Sequence, residues 1–203
     1  MTGFGRTGRW FGVDHWGVRP DLLVAAKGAS SGYWPFGFVA AAGDVFEALA
    51  APGAFVHGFT YSHHAVGAAV ACEVLRILEA EDLVTASAVK GDRLRTMLEA
   101  RLGDHPNVGQ IRGRGLLQGV ELVADRESRM PFPRASGVTE KVVAAAFDAG
   151  LLVYPATGNA NGIDGDQILL GPPFTTTDDE LALIVEGLGG ALDQAVQAVA
   201  AGG

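Results

Sequence analysis

The chain has 203 residues, 48% hydrophobic and 19% charged, a composition that suits a folded protein with a real core and argues against disorder. Lys and Arg number 15 against 23 Asp and Glu, giving a net charge of −8 with no basic tail, which disfavours a nucleic-acid partner. Its one cysteine, Cys72, excludes an intrachain disulfide and a multi-cysteine metal cluster, and fits a cytoplasmic setting.

Glycine contributes 29 residues, roughly twice the usual share, which predicts tight turns and close backbone approaches rather than a helical bundle. The chain opens on Met1-Thr-Gly-Phe-Gly-Arg, which lacks the apolar segment of a signal peptide. Gly3-Phe-Gly5-Arg-Thr-Gly8 has the spacing G-x-G-x-x-G, but a dinucleotide site needs a strand before it and a helix after it. Neither is visible, so the motif reads as a structural turn. Leu22-Leu23-Val24-Ala25-Ala26, bounded by Pro20-Asp21 and Lys27-Gly28, reads as a buried strand, and residues 38–42 as a second.

Residues 48–72 carry no Asp, Glu, Lys or Arg. Pro52, Gly53, Gly58 and three histidines interrupt them, so no run approaches the ~20 apolar residues of a membrane span. His57, His63 and His64 read as loop or helix-start residues, because adjacent histidines diverge and no carboxylate lies at ligand spacing. Helical periodicity is expected over 65–81 and 82–102, then a break at His105-Pro106-Asn107. Beyond it, strands are predicted at 116–123, 151–153 and 168–170, with a helix over 136–149 stopped by Gly150. Gly113-Arg114-Gly115 is a second glycine-rich pattern of no evident phosphate role. Thr177-Asp-Asp-Glu180 fits a capping box opening a final helix with Leu181, Ile184, Val185, Leu188 and Leu192 inward. Strands alternating with helices indicate an α/β or α+β architecture, with a domain boundary near Gly103.

Lys27 is the informative residue. It ends an apolar strand and precedes Gly28-Ala29-Ser30-Ser31-Gly32-Tyr33. A lysine at such a place can be desolvated, and its free amine then forms Schiff bases with aldehydes. Small residues after it allow a bulky cofactor to approach the backbone, and Ser30 and Ser31 offer hydrogen bonds. The alternative is a lysine that reaches solvent at a strand end.

Several segments occur in one order across nearly the whole chain. They are Met1-Thr-Gly-Phe-Gly-Arg-Thr-Gly8, Gly17-Val-Arg-Pro-Asp21, Ala26-Lys27-Gly28 with Gly32-Tyr33 and Pro35, and His57-Gly-Phe-Thr60-Tyr-Ser62. Arg112-Gly-Arg-Gly-Leu116, Gly119-Val-Glu121-Leu122 and Leu170-Gly-Pro-Pro173-Phe174 complete the set. Together they closely resemble the class III aminotransferases, pyridoxal-phosphate enzymes of fold type I.

The resemblance implies that Lys27 forms the Schiff base with pyridoxal 5′-phosphate and carries a proton between the substrate α-carbon and the cofactor. It implies that Thr60 binds the cofactor phosphate, typically of the neighbouring subunit, and hence a homodimer. The implied fold is the C-terminal half of a fold type I large domain over residues 1–102, with its interdomain helices, and a small α+β domain over 103–203. The implied activity is amino-group transfer from an amine or amino acid to a keto or aldehyde acceptor.

Two departures accompany it. The family's Asp-Glu-Val triplet, whose aspartate pairs with the pyridine nitrogen, has no counterpart in this chain, nor do the glycine-rich phosphate loop and the ring-stacking aromatic. The alternatives are therefore a truncated, non-catalytic fragment or half of a split enzyme needing an N-terminal partner. A cofactor-independent Schiff-base enzyme is a further rival. Secondly, residues 158–167 hold no arginine, and none follows Arg134, which leaves the bidentate grip on a substrate carboxylate open.

Overall fold

A computed structural model describes residues 1–51, 53 and 57–201; Pro52, one of the interruptions noted above, lies outside them. The chain divides into two compact units, Met1–Thr85 and Ala86–Gly203.

The first unit opens with the glycine-rich segment as a turn. Gly3 and Phe11 form an isolated antiparallel bridge, and the Gly8 N–H donates to the Gly5 carbonyl at 2.8 Å. Gly5 and Gly8 lie at φ 89° and 80°, which glycine adopts without steric cost. Strand β1 (Leu22–Ala26) then pairs antiparallel with β2 (Gly37–Ala41), with Ala25 opposite Phe38. A short helix, α1 (Gly43–Ala50), follows where the sequence suggested none, and α2 (Ala65–Ala80) buries Gly67, Ala71 and Leu78 along one face. Helix α2 packs on the 3-10 turn Lys27–Ser30 that leaves β1.

Helix α3 (Leu83–Leu102) runs from the end of the first unit into the second, and the break at His105-Pro106-Asn107 separates it from β3 (Val108–Arg114). The second unit is a four-stranded antiparallel sheet in the order β3-β4-β6-β5, with β4 at Leu117–Leu122, β5 at Tyr154–Thr157 and β6 at Asp166–Leu170. Its helices are α3, α4 (Val138–Asp148) and α5 (Asp178–Ala201). Leu94, Leu98 and Leu102 of α3 share one core with Val120 and Ile168 of the sheet, Val142 of α4, and Leu181, Leu188 and Leu192 of α5. Spacing near 3.6 residues aligns these leucines, and burying each contributes about 1.5–3 kcal/mol. The capping box forms as expected. The Thr177 N–H donates to Glu180 Oε2 at 2.7 Å, and the Glu180 N–H to Thr177 Oγ1 at 3.3 Å.

Two expectations are corrected. Residues 151–153 are not a strand. Gly150 turns left-handed at φ 81° and the Leu151 N–H bonds back to the Ala146 carbonyl at 2.8 Å, so these residues cap α4 and the strand starts at Tyr154. Strand β3 was not expected, because Gly109 and Gly113 break its apolar alternation. Among the described residues no helix is long and apolar enough to cross a membrane.

Candidate active site

Lys27 stands where β1 ends and the 3-10 turn Lys27–Ser30 begins, with its own backbone left-handed at φ 51°. A non-glycine residue rarely occupies this region, and such strain collects at functional sites. The turn is anchored from below: Ala29 and Ser30 are buried, and the Ser30 hydroxyl donates to the Trp34 carbonyl at 2.6 Å. The Ser31 N–H bonds to the Gly28 carbonyl at 3.2 Å, and Ser31, also left-handed at φ 48°, is exposed. Lys27 itself is exposed, so these residues do not supply the apolar enclosure that the strand end suggested.

A cavity of about 380 Å³ opens beside the lysine, lined by Phe4, Phe11, Val13, Leu23, Val24 and Lys27 among others. Lys27 is the only charged side chain among its lining residues. On the glycine-rich turn, burial holds the Arg6 guanidinium below its ordinary pKa. An amine on a fixed turn, with glycine and small residues next to it and an apolar hollow alongside, suits capture of a bulky aldehyde.

Thr60 lies on the exposed loop that leads into α2. The loop is folded by local bonds: the Phe59 N–H donates to Ser62 Oγ at 3.0 Å, and the Ser62 N–H to the Phe59 carbonyl at 2.9 Å. His63 is left-handed at φ 59°, and His64 precedes α2 with its ring stacked on Trp34 at 5.4 Å. The loop borders a second cavity, of about 810 Å³, lined by Phe36, Phe38, His57, Phe59, Tyr61 and His64 among others. The two cavities share no lining residue. Lys27, Ser30 and Ser31 come together on one turn, and Thr60, on its own loop, is not among the residues lining either cavity. Among the described residues no group of three His, Cys, Asp or Glu is arranged to hold a metal ion.

In the second unit, the Arg112–Leu116 segment shapes a hairpin. Arg112 donates to Gln110 Oε1 and Gln167 Oε1, both at 3.0 Å, and pairs with Glu121 at 3.4 Å. Gln167 reaches it across Gly119, where a Cβ would sit 2.4 Å from the amide nitrogen. Gly91 of α3 meets the Gly115 backbone so closely that a Cβ there would lie 2.1 Å from the carbonyl carbon. The loop 158–167 is internally satisfied as well. Asn161 Oδ1 accepts the N–H groups of Ile163 and Asp164 at 2.9 and 2.8 Å. Asp164 accepts the Arg134 N–H at 2.9 Å. Hydrogen bonds from Asn161 and then from that N–H hold the Asp164 carboxyl below its usual pKa.

The sequence profile of the family described as Aminotransferase class-III matches residues 1–192. The chain is 36% identical over 186 residues to an uncharacterized aminotransferase, YodT, of Bacillus subtilis, covering 91% of this chain and 42% of that protein. It is also 36% identical over 201 residues to a putrescine–pyruvate aminotransferase of Pseudomonas aeruginosa, covering 99% of this chain and 42% of the relative. Among solved structures, a thermostable (S)-enantioselective omega-transaminase from Thermomicrobium roseum superposes with a TM-score of 0.88 at 40% identity, over 96% of this chain and 42% of that one. A transaminase from the marine bacterium Virgibacillus gives 0.91 at 34% identity, over 100% and 44%. The chain therefore spans about two fifths of the length of these relatives.

Proposed function

The chain belongs to the class III aminotransferase family, and from that premise we propose that it is the lysine-bearing part of a pyridoxal-phosphate-dependent aminotransferase. Its fold is that of the C-terminal part of a fold type I transferase. In this reading residues 1–102 belong to the large cofactor-binding domain and 103–203 form the small one.

The observation that carries the reading is Lys27, displayed on a strained left-handed turn beside an apolar hollow, with small residues flanking it. Bound pyridoxal phosphate supplies the electron sink for breaking the bonds at an amine's α-carbon. Lys27 Nζ would hold the cofactor through its aldehyde, with loss of water, and once displaced by the incoming amine it would be free to carry the proton from the substrate α-carbon to the cofactor. Ser31, exposed on the same turn, would be available to the cofactor, and Ser30 holds the turn through Trp34. Thr60, on a loop apart from Lys27's cavity, serves the cofactor phosphate of a neighbouring subunit, which makes the working form a homodimer. The amino donor is an amine or amino acid and the acceptor a keto or aldehyde compound. A cytoplasmic setting accords with the lone thiol, Cys72.

A second reading has support in the first unit, where Val24, Val39, Phe46, Phe59 and Tyr61 are all more than 60% exposed. Apolar groups so displayed favour a segment that acts only when complementary polypeptide covers it. The test is the visible spectrum of the purified chain with pyridoxal phosphate. The proposal expects a band that shifts on adding an amine and is absent in Lys27→Ala. An unchanged spectrum in the variant would overturn the role given to Lys27.

A further inference from the structure

The strain at Lys27 has a visible support. Phe4 comes from the glycine-rich turn, far from Lys27 in sequence, and its ring lies against Gly28. A Cβ at Gly28 would sit 3.2 Å from Phe4 Cδ2 and 3.4 Å from Phe4 Cβ, so glycine is what lets the Phe4 side chain lie this close to the backbone there. Phe4 is 5% exposed in a unit that leaves many of its large apolar side chains open, and its own backbone is left-handed at φ 55°. Two rings grip it edge to face, Phe11 at 5.4 Å and Phe38 at 6.3 Å.

Both grips are fixed to the frame. Phe11 is bridged to Gly3, and its N–H donates to Asp14 Oδ2 at 2.8 Å. Phe38, on β2, is the register partner of Ala25 of β1, which stands two residues before Lys27. The chain of contacts therefore runs from the hairpin and the amino-terminal turn, through one ring, to the peptide that follows the lysine.

We propose that Phe4 is a positioning residue: packed on Gly28 between Phe11 and Phe38, it holds Lys27 in its left-handed backbone and thereby sets the direction of the Lys27 amine. The inference rests on the reading of Lys27 as the Schiff-base residue. Lysine gains nothing intrinsic from a positive φ, so the surroundings must over-determine it. Without the ring, the Lys27–Ser30 turn relaxes toward ordinary backbone and the amine leaves its place at the cavity.

The test uses the full chain and the variants Phe4→Ala, Phe4→Leu and Gly28→Ala, with two readouts. The first is hydrogen exchange at the Ser31 and Tyr33 amides, which bond to the Gly28 and Ser30 carbonyls, with no cofactor added. The second is the ratio of borohydride-fixed pyridoxal phosphate on Lys27 to that on Lys90 and Lys141, the chain's other lysines. Phe4→Ala and Gly28→Ala are expected to speed exchange at both amides about tenfold or more, with amides of the second unit unchanged. They are also expected to lower the Lys27 share of the label toward that of each of the other two lysines. Phe4→Leu, which keeps apolar bulk on Gly28, restores most of both. Unaltered exchange in Phe4→Ala, or faster exchange with an unaltered Lys27 share, overturns the proposal. If the unmodified chain shows no preference for Lys27, it is the Schiff-base reading that fails, and the exchange arm alone then decides whether Phe4 holds the turn.

Discussion

Single residues decide how closely backbones approach in this chain, and glycine is the usual means. Gly91 on α3 faces Gly115 in the β3–β4 hairpin, and an added methyl would overlap its carbonyl group at 2.1–2.2 Å. Neither side is a flexible side chain, so Gly91→Ala must push the helix and hairpin apart. A loss of about 1–3 kcal/mol, toward the upper end, is expected from urea unfolding. An unchanged midpoint would show that the contact yields freely. The strand end and the small residues after it single out Lys27 in the sequence, but only the resemblance to class III aminotransferases favours a Schiff base there over a lysine that reaches solvent. The support of Lys27 by Phe4 was not legible, since that contact joins positions far apart in sequence. The G-x-G-x-x-G spacing that carries Phe4 reads only as a turn.

At the scale of elements, the second unit is held by ion pairs as well as by its leucines. Arg101 of α3 donates to Asp193 of α5 at 2.8 Å, and His105 contacts the same carboxylate at 3.2 Å. The hydrogen bond from Arg101 leads the causes that hold the Asp193 carboxyl below its ordinary pKa, against the opposing effect of burial. A carboxyl with a lowered folded-state pKa stabilises the fold above its unfolded value of about 4, and that stability is lost as pH falls through the lower folded value. Asp193→Asn should therefore lower the melting temperature at pH 7, with the gap to the unmodified chain closing as pH drops below about 4. A gap that stays constant with pH would assign the effect to packing alone. The long elements were readable from period and capping, α5 above all with Thr177 and Glu180 at its start. Helix α1 was missed because its eight residues make little more than two turns, too short a run for a period to stand out. Strand β3 was missed because its glycines serve the hairpin and break the alternation a strand needs.

Across the molecule, the two units differ in how completely they bury themselves. The second closes a continuous core in which Leu94, Leu98, Leu181 and Leu192 have no measurable exposure. The first leaves Val24 79% and Tyr61 81% exposed, and every residue of β2 is exposed. Limited proteolysis of the full chain should accordingly cut first within residues 1–85 and leave a resistant product from residues 86–203. Early cleavage within the second unit would contradict this ranking. The family was legible from its ordered motifs, but the uneven burial was not. Exposure depends on which surfaces meet, and a run such as Leu22–Ala26 has the same apolar character whether or not anything covers it.

The central claim is that Lys27 is the residue that binds pyridoxal phosphate, and borohydride reduction followed by peptide mass mapping tests it most directly. The account predicts that the reduced cofactor is found on the Lys27 peptide in preference to Lys90 and Lys141, and that Lys27→Ala removes it without redistributing it. Label spread evenly over the three lysines, or retained in Lys27→Ala, would contradict the account.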